Sequence, residues 1–304
     1  MIQKKVLKQQ LNTHWLGSHL VELDKIDSTN SYAKTHAPEL RHGSLILAHE
    51  QLKGRGQAHK YWHSTALQNI HISIYLKPSR EEGLHLLTFI PALSILTLLQ
   101  NLGFTGLVIK WPNDLYLKDR KLAGVLTENT YQGGRFQSTI LGVGWNVNEE
   151  HFPAELTESA TSLILELPSE QHSLDRDQLQ KYLDSSPELI DTGPTSIVGD
   201  GSSVKEDSLF RNKWSKTQLL IDFLAQFEHF YTLWETHPGT LANQINAHLL
   251  GYGKQVSLLR LDQPNTHAES VKCLGLDESG GLRVLDKEME VNTFTYEQIR
   301  IKPE

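Results

Sequence analysis

The sequence has almost no cysteine and no excess of positive charge. Only one of its 304 residues is a cysteine, Cys273, so a disulfide framework within the chain and a cysteine-based zinc cluster are both excluded. The 29 lysines and arginines are outnumbered by 36 aspartates and glutamates, which gives a formal net charge of −7. A nucleic-acid-binding protein usually carries a basic excess, so this charge balance argues against one. The 15 histidines include no pair at helical metal-ligand spacing with an acid between them.

A long uninterrupted apolar run is also lacking. The basic N-terminal segment is not followed by an apolar stretch of signal-peptide length. The longest apolar stretch, residues 84–99, contains His85 and Pro91 and is too polar for a membrane span. It predicts a buried helix that reaches Leu102 and is kinked at Pro91. We therefore expect no membrane partner and a cytoplasmic location.

The sequence does contain both period-two and helical patterns, without a strict alternation of strands and helices. Residues 69–77 alternate like a strand, and residues 219–234 repeat apolar and aromatic side chains at helical spacing. This mixture predicts an α+β fold, with a mixed-sheet domain in residues 1–248 and a small C-terminal β-barrel domain in residues 249–304. Residues 168–215 are rich in proline, serine, glycine and acidic residues, and are predicted to form a mostly disordered insert.

Three segments have the composition of binding loops. The first, residues 51–60, contains the cations Lys53, Arg55 and Lys60, and glycines flank Arg55 on both sides. Glycines let the backbone approach a ligand, and the donor fork of an arginine suits a carboxylate or a phosphate. A solvated basic turn is an equally good interpretation of the same residues.

The second segment is Lys110-Trp-Pro-Asn-Asp114, at the end of an apolar strand. Its lysine can place a charge beside a phosphate, and Asn113 and Asp114 can cap, bind a ligand or hold Mg²⁺ through oxygen. The third segment, Gly142 to Asn148, has two glycines before two asparagines, which suits the close approach of a planar ligand. Taken singly, an ordinary turn and a bulged strand explain these two segments at least as well.

Taken together, these segments resemble the biotin–protein ligase family. The matching stretches occur in the family's order and approximate spacing; they are Asp27-Ser-Thr-Asn30, Gly54-Arg-Gly56, Lys110 to Leu117, Arg120 to Val125, Gly142 to Asn148 and Ala160 to Leu163. The resemblance implies a catalytic domain of the biotin/lipoate protein ligase type. It also implies that biotin and ATP, with Mg²⁺, form biotinyl-5'-AMP and pyrophosphate. Biotin is then transferred to a lysine of the biotin carboxyl carrier domain of acetyl-CoA carboxylase or a related carboxylase.

The resemblance also implies roles for individual residues. The expected biotin contacts are Ser28, Thr29, Asn30, Gln51, Gly54, Arg55, Gly56, Gln57, Lys110 and Gly124. The expected contacts to ATP or the adenylate are Lys60, Trp62, Asn113 and Asn146. Arg55 and Lys110 are expected to be the catalytic cations, because the biotin carboxylate and the α-phosphate repel each other. Asp114 is the candidate metal ligand.

The sequence departs from the family at several positions. Gln57 stands where members often have a second basic residue, His59 where they often have glycine, and Lys60 where they often have arginine. Trp145 replaces a small aliphatic residue, and we expect a weaker hold on the adenylate. Only 26 residues precede Asp27, too few for the helix-turn-helix domain of bifunctional members. The expected type is therefore a monofunctional ligase that does not bind DNA.

Two other functions stay open. A lipoate–protein ligase would share the fold and the adenylation chemistry, but its pocket would hold a flexible apolar chain rather than a ureido ring. A non-catalytic biotin-binding regulatory module is compatible with the altered loop at Gln57. The natural acceptor and the role of the insert are not specified by the sequence. An edge strand could pair with the carrier or with a second copy in a homodimer.

Overall fold

The protein contains two β-sheets and five α-helices within residues 1–57, 61–166, 180–183, 213–261 and 268–303, which a computed structural model describes. The predicted insert lies outside these residues, except for 180–183 and 213–215. The elements are α1 (Lys4–Gln10), β1 (Leu20–Ile26), α2 (Thr29–Thr35), β2 (Ser44–Gln51), β3 (Ile70–Leu76), α3 (Ile90–Asn101), β4 (Leu107–Lys110), β5 (Asp114–Leu117), β6 (Arg120–Gln132), β7 (Arg135–Trp145), α4 (Lys216–Thr236), α5 (Pro238–Asn246), β8 (Gln255–Arg260), β9 (Glu269–Leu276), β10 (Leu282–Leu285), β11 (Val291–Phe294) and β12 (Ile299–Pro303).

The first sheet has seven strands in the order β1-β2-β3-β7-β6-β5-β4. Strands β1 and β2 are parallel and every other neighbouring pair is antiparallel, so the predicted mixed sheet is confirmed. Helices α3 and α4 pack together over one face, where side chains such as Leu45, Ile72 and Leu141 form the main core. Helix α2 covers part of the opposite face, which leaves room there for a site.

The apolar segment that begins at Leu84 is not one kinked helix, so that prediction was wrong. Residues Leu84–Phe89 form a 3₁₀ helix, and α3 starts at Ile90. Pro91 then lies in the first turn of α3. Backbone N–H groups in a first turn have no acceptor within the helix, so a proline there costs no helical hydrogen bond. Residues Leu84–Asn101 are long and apolar enough to cross a membrane, but 78% of that stretch is buried inside the fold. Both helices of this stretch pack into the core of the fold.

The second sheet is antiparallel, with five strands in the order β11-β10-β9-β8-β12. It confirms a small C-terminal β domain. Near the predicted boundary at residues 248 and 249, the chain still hydrogen bonds to β4 through Ile109, before the second sheet begins at Gln255. Asn246 of α5 connects the two parts, because its side-chain amide hydrogen bonds to both the N–H and the carbonyl of Leu276.

Candidate functional site

One row of residues crosses the face of the first sheet that carries α2. Lys110 lies opposite Asp114, Asp114 opposite Gly124, Gly124 opposite Gly144, and Gly144 opposite His71. Directly opposed residues on paired strands project to the same face, so all five share this face. The middle of the row has no side chains because it consists of Gly124 and Gly144, which we call the glycine floor.

The indole of Trp62 lies directly on the glycine floor. A methyl group at Gly144 would lie 2.3 Å from Cε2 of Trp62, and one at Gly124 would lie 3.0 Å from its Cζ3. Side chains at either position would therefore displace the indole. The Nε1 of Trp62 is buried and has no hydrogen-bond partner among the described residues. The floor thus accommodates a flat ring, and in this structure that ring is the indole of Trp62.

Next to the floor, four buried side chains form a pocket of hydrogen-bonding groups. The N–H and Oγ1 of Thr29 donate to Oε1 of Gln51 at 2.8 and 3.1 Å. The Oγ of Ser73 lies 2.7 Å from Oγ1 of Thr29 and 2.6 Å from Oδ1 of Asn30. Gly142 permits this packing, because a methyl group there would lie 2.3 Å from Oδ1 of Asn30. We call Thr29, Asn30, Gln51 and Ser73 the polar pocket.

The parallel strands β1 and β2 position the polar pocket, because they end together with Ile26 opposite Gln51. The chain then turns, Ser28 precedes α2 as its N-cap residue, and Thr29 begins the helix. The side chain of Ser28 makes no cap hydrogen bond, although the residue is buried beside the pocket. The sequence motif at 27–30 therefore marks a helix start, as its residue types predict.

A cleft of about 460 Å³ opens between the basic loop and the middle of β6. Its walls comprise residues 52–57 and Tyr61, residues 126–128 of β6, and Tyr296 in the turn between β11 and β12. Arg55 pairs with Glu128 across the cleft, with Nη2 2.7 Å from Oε2. The same Oε2 accepts a hydrogen bond from Nδ2 of Asn30 at 2.9 Å. Glu128 therefore connects the loop cation to the polar pocket, so the predicted residues at 29–30, 51 and 54–57 are brought together.

The predicted lysine at the end of β4 has no carboxylate within ion-pair distance in the part of the chain that the structure describes. The Nζ of Lys110 lies 4.7 Å from the ring centre of Tyr116 and 3.4 Å from its hydroxyl oxygen. A cis peptide bond joins Trp111 to Pro112 immediately after the strand. The ammonium group of Lys110 is therefore available to an anion on this face.

Two predicted nucleotide contacts are buried amides that hydrogen bond to the backbone. Asn113 donates to the carbonyl of Val125, and Asn146 donates to the carbonyl of Thr161 at 3.0 Å. In this structure their amide nitrogens hold neighbouring strands and loops together. A contact from either residue to ATP stays a prediction. Lys60 and His59 lie outside the described residues.

The residues that the structure describes do not form a resident metal site. In the described ranges there is no group of three or more His, Cys, Asp or Glu side chains that could hold a metal ion. The Oδ1 of Asp114 lies 2.7 Å from Nζ of Lys121, so this carboxylate already has a cationic partner. A metal role for Asp114 therefore stays a prediction.

Sequence reasoning missed four side chains of the site: His71, Ser73, Lys121 and Glu128. His71 is fully buried, and neither ring nitrogen has a hydrogen-bond partner among the described residues. Burial lowers the pKa of His71 to about 3, and the neighbouring Lys216 and His63 act in the same direction. The imidazole is therefore neutral. The alternation of β3 could have identified both His71 and Ser73, since they are polar residues two apart in a strand that is otherwise apolar.

A mixed sheet with a polar pocket, a glycine floor and a basic loop on one face defines an α+β domain of the biotin/lipoate ligase type. Residues 22–146 match the Biotin/lipoate A/B protein ligase family. A relative named bifunctional ligase/repressor BirA, from Bacillus spizizenii, is 36% identical over 160 residues, which are 50% of this chain and 48% of the relative. A biotin–[acetyl-CoA-carboxylase] ligase from Paracoccus denitrificans is 34% identical over 130 residues, which are 41% of this chain and 53% of the relative. The chain spans about half the length of the curated relatives it matches.

Solved structures share the fold over most of the chain. The biotin protein ligase from Aquifex aeolicus, in complex with biotin and ATP, superposes with a TM-score of 0.66. The match covers 94% of this chain and 100% of that one, at 23% sequence identity. At this identity the likeness concerns the fold, and it includes both the mixed sheet and the small C-terminal sheet.

Proposed function

We propose that the protein is a biotin–protein ligase that forms biotinyl-5'-AMP from biotin and ATP and then transfers biotin to a lysine of a carrier domain. The observation that carries the proposal is the buried polar pocket beside a glycine floor and a basic loop. The names of the sequence relatives and the biotin and ATP bound to a protein of the same fold support this function. The need for ATP agrees with a cytoplasmic location.

The polar pocket favours biotin over lipoate. A ureido ring has two N–H donors and one carbonyl acceptor, and the hydroxyl and amide groups of Thr29, Asn30 and Gln51 can match them. The dithiolane and alkyl chain of lipoate would leave these buried groups without ligand partners. The pocket groups already hydrogen bond to one another, so an apolar chain gains nothing from them, whereas a ureido ring finds several matching partners and is favoured.

In the first reaction, an oxygen of the biotin carboxylate attacks the α-phosphorus of ATP. A carboxylate–phosphorus bond forms, the bond to the bridging oxygen breaks, and pyrophosphate leaves with the electron pair. Both reactants are anions, so the site must offset their repulsion. Arg55 and Lys110 supply positive charge on this face, and magnesium bound to ATP would neutralise part of the phosphate charge. The glycine floor and Trp62 can hold the flat rings of the product.

In the second reaction, the neutral amine of a carrier lysine attacks the acyl carbon of the adenylate. The carbon–oxygen bond to the phosphate breaks, AMP leaves with the electron pair, and the amine loses a proton to solvent. The acceptor that we propose is the biotin carboxyl carrier domain of acetyl-CoA carboxylase or a related enzyme. The basic loop over the cleft would shield the reactive adenylate from water before the carrier docks.

Two assays test the proposed function. Biotin-dependent exchange of labelled pyrophosphate into ATP reports the first reaction, and the mass of an isolated carrier domain reports the second. We expect one biotinyl group per carrier, and only when ATP is present. Arg55→Ala and Lys110→Ala should each slow exchange by about 100-fold, the typical effect of removing one charge-stabilising group. Lys287→Ala, which removes an exposed lysine of the second sheet, is the matched control.

Other outcomes would redirect the assignment. Exchange that depends on lipoate and not on biotin would make the protein a lipoate–protein ligase. Binding of biotin without any exchange or transfer would make it a regulatory binding module. Wild-type exchange rates in both alanine variants would leave the chemistry intact but would contradict the roles given to Arg55 and Lys110.

A further inference from the structure

The carboxylate of Glu128 joins the basic loop to the polar pocket through a single oxygen. Glu128 follows Gly124 by four residues along β6, and the pairing of β6 with β7 is regular between them, so Glu128 projects to the site face. Its Oε2 accepts a hydrogen bond from Nη2 of Arg55 at 2.7 Å and another from Nδ2 of Asn30 at 2.9 Å. The same atom therefore holds a loop cation and an amide of the polar pocket.

The contact uses only part of the donor fork of Arg55. A guanidinium group has five N–H donors. In the part of the chain that the structure describes, the side chain of Arg55 donates to Glu128 alone, and it does so through Nη2. The other donors can bind an anion in the cleft. Arg55 can therefore contact a substrate oxygen without leaving Glu128.

The backbone of Arg55 is held separately from its side chain. Arg55 forms an isolated β-bridge with Tyr61, and the N–H of Trp62 donates to the carbonyl of Gly54 at 2.9 Å. These contacts position the main chain of the loop. The long side chain would still have many rotamers, and ordering it during the reaction would cost conformational entropy. The contact with Glu128 orders its end in advance.

A carboxylate in this cleft requires an explanation, because the proposed reaction joins two anions. Glu128 repels both the biotin carboxylate and the phosphates of ATP. As a stabilising contact, the ion pair with Arg55 offers little in return. The two side chains are 20% and 42% exposed, and ion pairs with such solvent access contribute little to folding stability. The repulsion is offset if the carboxylate places the loop cation where the reaction needs it.

We propose that Glu128 is a positioning residue that orients the guanidinium group of Arg55 for the α-phosphate of ATP and holds the amide of Asn30 for biotin. The inference rests on the proposed function and deepens it. Glu128 acts through these two side chains and makes no bond to either substrate. A donor that is already oriented needs no reorganisation as charge develops around phosphorus, so this arrangement raises the rate of the chemical step.

The test asks whether the effect of Glu128→Gln changes sign when the arginine is absent. The glutamine keeps the shape and an acceptor oxygen but loses the charge-assisted hydrogen bond. The variants are Glu128→Gln, Arg55→Ala and the double variant. Pyrophosphate exchange gives kcat and KM for ATP, calorimetry gives the Kd for biotin, and thermal unfolding gives Tm. Glu288→Gln, which removes an exposed carboxylate of a surface ion pair after β10, is the matched control.

In the wild-type background, Glu128→Gln should lower kcat by about tenfold at a nearly unchanged Tm, because the guanidinium group is less well held. The Kd for biotin should rise by only about threefold, because Asn30 keeps a neutral acceptor. In the Arg55→Ala background, the same substitution should raise kcat/KM for ATP by about threefold. A carboxylate that has lost its cation only repels the substrates, so its removal relieves that repulsion.

Three results would overturn the inference. In the first, Glu128→Gln retains the wild-type kcat, so that Arg55 needs no positioning. In the second, Glu128→Gln lowers Tm and slows exchange equally with and without Arg55, which is the pattern of a structural contact. In the third, the wild type shows no biotin-dependent exchange, and the proposed function then fails together with the inference. The first two results leave the proposed function intact.

Discussion

At the scale of single residues, the buried His71 makes the stability of the folded protein depend on pH. Its imidazole is fully buried on the site face, and burial lowers its pKa from 6.5 to about 3. The unfolded chain therefore takes up a proton at a pH where the folded protein does not. The stability that depends on neutral His71 is complete above pH 6.5 and is lost as the pH falls towards 3.

The first prediction at this scale is a loss of stability on mild acidification that depends on His71. Between pH 7.5 and pH 5, the wild type should lose about 2 kcal/mol more unfolding free energy than His71→Gln, because protonation of the unfolded imidazole contributes that amount. Guanidinium unfolding at the two pH values measures the difference. His151→Gln, at an exposed position, is the control and should behave like the wild type. An equal pH dependence in His71→Gln would show that folding does not lower the pKa of His71.

At the scale of elements, the two glycines Gly142 and Gly144 of β7 leave space on the site face for other side chains. Gly142 and Gly144 lie two residues apart, so both open the same face of the strand. Asn30 of α2 occupies the space above Gly142, and Trp62 occupies the space above Gly144. One short strand segment therefore creates both the polar pocket and the glycine floor.

The prediction for this element is that Gly142→Ala destroys the polar pocket. The added methyl group would lie 2.3 Å from Oδ1 of Asn30, so Asn30 must rotate away from Ser73 and Glu128. The buried groups left unpaired should cost about 1–3 kcal/mol of unfolding free energy, and the affinity for biotin should fall by about 100-fold. Calorimetric titration with biotin and chemical unfolding measure the two effects.

Gly239→Ala is the control for that substitution. Its added methyl group would meet nothing closer than 3.9 Å, and Gly239 lies near the start of α5, where alanine is favoured over glycine. It should retain wild-type affinity for biotin and equal or higher stability. If Gly142→Ala also bound biotin normally, Asn30 would have no part in recognition.

The elements differ in how far the sequence determines them. Alternation in β3 and the turn at Lys118 and Asp119 were predictable, because the first follows local periodicity and the second separates two apolar segments. The bulge between Leu115 and Tyr116 sets the register that places Lys121 opposite Tyr116. A bulge depends on how the strands pack and not on the local pattern, so the position of Lys121 beside the glycine floor was not predictable. The 3₁₀ helix before α3 depends in the same way on packing and not on local pattern.

At the scale of the whole molecule, the C-terminal sheet is part of the site's surroundings. Tyr296 lines the cleft beside the basic loop. Together with Trp111 and Pro112 of the turn after β4, it also lines a narrow gap between the C-terminal part and the first domain, which we call the seam. The sequence predicted a separate small domain but gave no indication of this contact, because the residues involved are far apart in the chain. The position of the second sheet should therefore influence the cleft.

Gly280→Ala tests that influence. Gly280 has φ +85°, and an added methyl group would lie 2.7 Å from Cβ of His85 and from the backbone nitrogen of Leu86, across the seam. Gly253→Ala is a closely matched control, because Gly253 has φ +74° but no atom within 4 Å of the added group. Both variants should lose about 1–2 kcal/mol from left-handed backbone strain. Gly280→Ala should lose more, and its KM for ATP should rise, because the second sheet and Tyr296 are pushed away from the cleft. Thermal unfolding and pyrophosphate exchange measure these effects, and equal behaviour of the two variants would mean that the second sheet does not shape the site.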